Sequence, residues 1–176
     1  MVTSEIKKQE VWVNSKDIAK VDDAFVERLI AQAKANPRKR MRLCLHKSSD
    51  DAVHEMIIAI AKDCYIRPHK HPQKTESFHI VKGSLWLFVF DHNGNVIEKF
   101  KMSERGNSDC FLYRLQKDYW HGMIPISDFV VFHETTKGPF TGQNDSVFPD
   151  WAPGEDDPAG KIKAYLTKLL SVQPTQ

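Results

Sequence analysis

The sequence predicts an all-β domain, an antiparallel barrel with one helix ahead of it and a short one behind. Three observations carry this expectation. A helical apolar period marks the segment before Pro37, the period changes to two from Met41 onward, and turn signals cut the alternating part into many short runs.

A short alternating segment, Glu10 to Asn14, comes first and reads as a strand. A helix is expected over Val21 to Ala35: Asp22 and Asp23 suit the positive end of a helix dipole, and Phe25, Leu29, Ile30 and Ala33 recur at helical spacing. Asn36-Pro37 ends it, because proline disfavours a helical residue before it. Strands are then expected at Met41–His46, Val53–Ala61, Glu76–Gly83, Ser84–Asp91, Asn95–Phe100, Cys110–Leu115 and Ser127–Thr135. The punctuation is Ser48-Ser49-Asp50-Asp51, Lys82-Gly83, Asn93-Gly94, Arg105-Gly106-Asn107 and Lys137-Gly138-Pro139. Asn93-Gly94 between two apolar runs is a hairpin signal, since both residues tolerate the positive φ of a tight turn. Past Trp151 and an acidic, proline-rich stretch, Ile162–Leu170 reads as a closing helix over an edge or end of the sheet. The chain thus divides into an extension (1–38), a barrel (39–150) and a C-terminal segment (151–176).

With 176 residues, one core is expected. A formal charge of +2 does not call for nucleic acid, and no apolar run approaches the roughly 20 residues of a membrane-spanning helix. The amino terminus has no stretch resembling a secretory apolar region. Cys44, Cys64 and Cys110 are odd in number and have no CxxC spacing, so they read as buried free thiols in a reducing cytoplasm.

The informative segment is IRPHKHPQKTESFHIVKG. His69 and His71 are two apart, so on a strand their imidazoles project from one face. Glu76 has the wrong parity for an unbroken strand, but Pro72-Gln73-Lys74 breaks the chain and lets Glu76 turn inward from a second strand. Two imidazoles and a carboxylate on a half-buried wall form a set that borderline divalent metals accept. A fourth ligand is expected from elsewhere in the barrel. His121, after Tyr119-Trp120, is the choice, with His46, His54, His79, His92 and His133 as alternatives. Of these, His92 reads as a solvated turn residue and His79 as outward-facing, while His46 and His133 are candidates for the cavity lining. Arg67 and Tyr65 share the parity of His69 and His71, which makes them the expected substrate contacts, an inward arginine holding a carboxylate or phosphate by its planar fork. The cluster Arg38, Lys39, Arg40 and Arg42 reads as a solvated linker. Glu134 and Tyr119 are the candidates for acid–base work.

The pattern His69-x-His71-x4-Glu76-x6-Gly83 resembles the first metal motif of cupins. The wider stretch from RLCLHKSSDDAVHEM to FPDWAPGEDDP is similar to the WbuC family of cupin-fold metalloproteins, over roughly Lys39 to Leu170. The resemblance implies a jelly-roll-like cupin barrel and a bacterial source. It also implies a mononuclear metal on His69, His71, Glu76 and His121, the last in the segment from which cupin sites receive their distal histidine. The second cupin motif is altered here, with Gln116, Asp118 and Pro125 at the usual proline, glycine and asparagine places. The family is linked to genes for O-antigen and other surface polysaccharides.

Four protein ligands leave two octahedral positions open, so one divalent ion (iron, manganese, nickel or zinc) with an exchangeable face is expected. The function expected is a metal-dependent isomerase, epimerase or oxygenase acting on a small anionic or sugar-derived substrate. The competing expectation is a non-catalytic, metal-dependent binder of such a molecule. The leading strand crossing to a partner's sheet would make a homodimer.

Overall fold

The computed structural model describes residues 10–107, 109–116 and 118–173, so most of the amino-terminal stretch read for a leader lies outside the described residues. The order is β1 (Val11–Val13), α1 (Asp23–Ala35), β2 (Arg40–Cys44), β3 (Val53–Ala61), β4 (Glu76–Lys82), β5 (Ser84–Phe90), β6 (Val96–Ser103), β7 (Leu112–Leu115), β8 (Trp120–Pro125), β9 (Phe129–Lys137) and α2 (Ala159–Ser171). Two sheets result, one in the order β1-β2-β3-β9-β4-β7 and one in the order β6-β5-β8. All named pairs are antiparallel except β1 with β2. The expected all-β class with a helix at either end of the chain is what forms. Among the described residues, no helix is long and apolar enough to cross a membrane.

Local chemistry explains the boundaries. Asp22 accepts a hydrogen bond from the Phe25 amide at 2.8 Å, capping α1, and Asn36 leaves the helix in extended conformation ahead of Pro37. Gly83 adopts φ +85°, and a Cβ there would lie 2.3 Å from the Phe129 carbonyl oxygen, so only glycine fits between β4 and β5. Strand β1 lies along β2 of its own chain, Val11 opposite Arg42 and Val13 opposite Cys44, where the sequence allowed a crossing to a partner.

Alternation sorts the large sheet into two faces. Met41, Ile57, Ala59 and Val131 pack outward against Val26, Leu29, Ile30 and Ala33 of α1. Ile60, Phe78, Ile80, Val130 and Phe132 face inward and meet Leu85, Leu87, Val89 and Met123 of the small sheet. The outer face of the small sheet is closed by the C-terminal segment: Phe88, Phe90 and Trp120 pack with Trp151 and with Tyr165 and Leu169 of α2. The closing helix thus covers a sheet face rather than an edge or end. Cys44 and Cys64 are buried free thiols, as expected, whereas Cys110 is only half-buried.

Strand β8 was not foreseen. Its burial is nearly continuous from Trp120 to Met123, because one side meets the barrel interior and the other the Trp151 segment. A strand covered on both sides loses the period-two signature by which sequence reading finds it.

Candidate metal centre

The site is built where β8 meets the segment before β4. His69 and His121 form an isolated antiparallel pair, exchanging backbone hydrogen bonds of 3.0 and 2.9 Å. Paired residues project to the same side of a ladder, so the rings stand together with centroids 4.5 Å apart. His71 follows, held by the neighbouring bridge of Lys70 to Val147, and its ring centroid lies 5.0 Å from that of His69. One ring nitrogen from each of the three imidazoles lies within 4.8 Å of those from the other two. Glu76, the first residue of β4, enters from the large sheet. Its Oε1 is 3.0 Å from His121 Nε2 and its Oε2 is 3.5 Å from His71 Nε2.

All three rings are oriented the same way. Nδ1 faces a backbone carbonyl in each: His69 to Arg67 at 3.0 Å, His71 to Asp145 at 2.6 Å and His121 to Tyr119 at 3.2 Å. Such a contact takes the proton of a neutral imidazole to Nδ1 and leaves the Nε2 lone pair free. Burial pushes His69 and His121 down to about 3; the neighbouring imidazoles add to this at His69. Both are therefore neutral at physiological pH. Burial also raises the pKa of Glu76, against the opposing pull of His71, His69 and the Tyr113 hydroxyl, which donates to Oε1 at 2.9 Å.

These residues fit a divalent cation. His121 Nε2 is buried with no hydrogen bond although Glu76 Oε1 stands 3.0 Å away, because the contact is not aligned as one. With the imidazole proton on Nδ1, two electron-pair donors face each other, and a shared cation satisfies both.

A buried lysine supports the set. Lys74, inside the turn between His71 and Glu76, pairs with the Asp145 carboxylate at 2.5 Å and donates to the Pro139 carbonyl at 2.8 Å. The carbonyl of the same Asp145 receives His71 Nδ1. One loop is thus anchored from within the motif and orients a histidine of that motif.

A cavity of about 530 Å³ opens beside the site, with His69 and His71 in its wall together with Arg42, His54, Met56 and Glu134. Glu134 is half-buried, and burial followed by repulsion from Glu76 lifts its pKa to about 8. Glu134, one of the two acid–base candidates, thus lies in the cavity wall. Tyr119 does not: its side chain is 47% exposed and only its carbonyl serves the site.

The expected substrate contacts are also displaced. Tyr65 donates to the Pro153 carbonyl at 2.8 Å and Arg67 to the Pro149 carbonyl at 2.6 Å, with the guanidinium 5.3 Å from the centre of the Phe148 ring. Neither lines the cavity. Parity failed because residues 64–68 are not in a strand, so no alternation governs them. Of the alternative histidines, His79 is outward and exposed, as expected, and His92 is exposed in the turn. His133 is also outside the cavity, opposite Ile57 and near Glu55. His46 and His54 do line the cavity, with rings stacked at 3.9 Å. The basic cluster is no solvated linker: Arg38 and Arg40 pair with Glu10 and Glu155, and Arg42 points into the cavity wall. Tyr113, Lys74 and Arg42 were missed as site residues. Strand parity was the only signal for Tyr113 and Arg42, and a shift of one residue reverses it; Lys74 lies in a turn, where no parity applies.

Comparisons with known proteins add the following. A family model described as a domain of unknown function (DUF6016) matches residues 21–102, which include His69, His71 and Glu76 but not His121; it is not the WbuC family that the motif resembles. No curated protein matches the chain. Among solved structures, the chain is similar to an oxalate decarboxylase–formate complex from Lactobacillus farciminis, at 18% identity and TM-score 0.45 over 56% of this chain and 27% of that one. It is similar to an oxalate decarboxylase variant from Bacillus subtilis, at 12% identity and TM-score 0.46 over 56% and 24%. A third likeness is to the cupin domain of Schizosaccharomyces pombe Cnp3, at 16% identity and TM-score 0.44 over 56% and 64%. The matched part spans about a quarter of the oxalate decarboxylase chains.

Proposed function

We propose that this chain binds one divalent metal ion through His69, His71, His121 and Glu76 and uses it on a small anionic or sugar-derived substrate held in the adjoining cavity. The observation that carries this reading is the common orientation of the three imidazoles, each tied by Nδ1 to a backbone carbonyl so that the Nε2 side is free to coordinate. Imidazole and carboxylate donors suit iron, manganese, nickel or zinc. When bound, such an ion supplies Lewis acidity to a carbonyl or water and, if ferrous, a site for oxygen.

The protein's own groups supply the rest. His69 and His71 face the cavity, which at about 530 Å³ is within the usual range of roughly 300–1,000 Å³ for small-molecule sites. Glu134 sits one inward row from Glu76, opposite Phe78 on β4. A carboxyl titrating near 8 holds its proton at neutral pH and gives it to a substrate oxygen or carbanion. Isomerisation or epimerisation, in which one proton is removed and one returned, and oxygen-dependent oxidation are the reactions that suit this set. A role in surface-polysaccharide synthesis belongs to this proposal through the motif resemblance alone.

The test is elemental analysis of untagged protein, followed by turnover of a sugar-phosphate and nucleotide-sugar panel after loading with each ion. One ion per chain, lost in His69→Ala and His121→Ala, is the expected result. Absence of stoichiometric metal in protein loaded with every candidate ion would reject the reading.

A further inference from the structure

Two arginines of β2 and its approach are neutralised, and the third is not. Arg38 and Arg40 share Glu10 and Glu155. Arg42 lies in the cavity wall with a buried Nε that has no hydrogen bond, and among the described residues its side chain has no ion-pair partner. Of the other acids in that wall, Glu10 pairs with Arg38 and Arg40 and Asp145 with Lys74, while Glu134 feels the Arg42 charge but makes no ion pair with it. Arg42 is half-buried; an arginine is always charged, and a charge turned toward a cavity without an ion-pair partner favours an anion there.

The register places this charge at a useful distance from the metal centre. Arg42 pairs with Ile58, Ile58 with Phe132 and Phe132 with Ile80, while Glu76 lies four residues from Ile80 along β4. Three strand steps and four residues amount to roughly 20 Å between Cα atoms on a flat sheet, less on a curved one. Both side chains stand off the same inner face, roughly perpendicular to the sheet, so their ends are separated by up to roughly 20 Å, less where the sheet curves. The wall between carries polar groups, since His54 and Glu76 both lie opposite Thr136 in one inward row.

We infer that Arg42 is the anchor for an oxyanion, a carboxylate or phosphate, at the end of the substrate remote from the metal. This rests on the reading of the cavity as a substrate site and specifies the substrate: an elongated molecule with its anionic group set apart from the reacting atoms. The planar fork of guanidinium donors matches either anion in bidentate fashion.

The experiment uses the full chain stripped of metal by chelation and titrated calorimetrically with inorganic phosphate and, separately, with succinate. One oxyanion per chain is expected, with binding at least tenfold weaker in Arg42→Gln and intermediate in Arg42→Lys, which keeps charge but loses the fork. Arg105→Gln, on the exposed turn after β6, should bind as the unaltered protein does. The stronger of the two probes tells phosphate from carboxylate. Should Arg42→Gln not fold, phenylglyoxal labelling of the unaltered protein, read by peptide mass spectrometry, replaces it: Arg42 should be slowed by the bound anion. No binding of either anion, equal binding by Arg42→Gln, or labelling of Arg42 indifferent to anion would each overturn the assignment. Because no metal is present, this failure is distinct from failure of the metal reading.

Discussion

The oxygen of Glu76 that faces His121 Nε2 at 3.0 Å is the same oxygen that accepts the Tyr113 hydroxyl at 2.9 Å. The carboxylate is therefore held from β7 on one side and presented to β8 on the other. Tyr113 is buried, and burial followed by the Glu76 charge drives its own pKa well above the ordinary value, so it stays a hydrogen-bond donor at every physiological pH.

Tyr113→Phe keeps the ring packed between Phe78 and Phe100 and removes only the donor. Metal affinity should fall about tenfold, the lower end for a lost supporting partner. Competition with a chromophoric chelator measures it, and an unchanged affinity would mean that Tyr113 does not position Glu76.

Lys74→Met removes the anchor of the loop whose Asp145 carbonyl orients His71. Affinity for metal should drop roughly 10- to 100-fold, less than in His71→Ala, with the fold retained. Comparing the two variants by the same competition assay separates orientation from ligation.

Glu134 carries a pKa raised to about 8, so its protonated form stabilises the fold below its unfolded value near 4.5 and that contribution is lost as pH rises from there to 8. His69 and His121, lowered to about 3, have the opposite sign: their neutral forms favour the fold above about 6.5, and stability is lost as pH falls from there toward 3. Glu134→Gln should therefore flatten the alkaline loss only, raising stability at pH 9 relative to pH 6 by about 2 kcal/mol compared with the parent. Urea unfolding of metal-free protein at the two pH values is the measurement.

Gly83→Ala meets two obstacles at once, a positive φ and a Phe129 oxygen 2.3 Å from the new Cβ. A loss of roughly 2–4 kcal/mol is expected, with most of it remaining when metal is absent. Parallel unfolding of apo and loaded protein tests whether the effect belongs to the fold or the site.

Local chemistry made much of this protein legible. The capped helix α1, the alternating strands and their glycine turns follow from side-chain period and backbone preference, which depend on neighbours in sequence. His69, His71 and Glu76 were visible for the same reason: a short motif with one break fixes their relation. Strand β8 was not, because burial on both sides erased its alternation, and His121 could be selected only from several histidines. Its backbone pairing with His69 is a contact between distant segments.

The sequence by itself determined most of the strand-forming segments, the helix before Pro37 and the spacing of His69, His71 and Glu76, all products of interactions a few residues long. Which of Arg38, Arg40 and Arg42 lacks an ion-pair partner among the described residues was decided by tertiary structure alone. Arg38, Arg40 and Arg42 read alike in a row, but chain closure brings Glu10 and Glu155 to the first two and gives the third only the cavity. Likewise Arg67 and Tyr65 turned away from the cavity because the carbonyls of the distant Pro149 and Pro153 reach them. Charge compensation and hydrogen-bond satisfaction are settled by whichever partners the folded chain delivers, and no local rule specifies those.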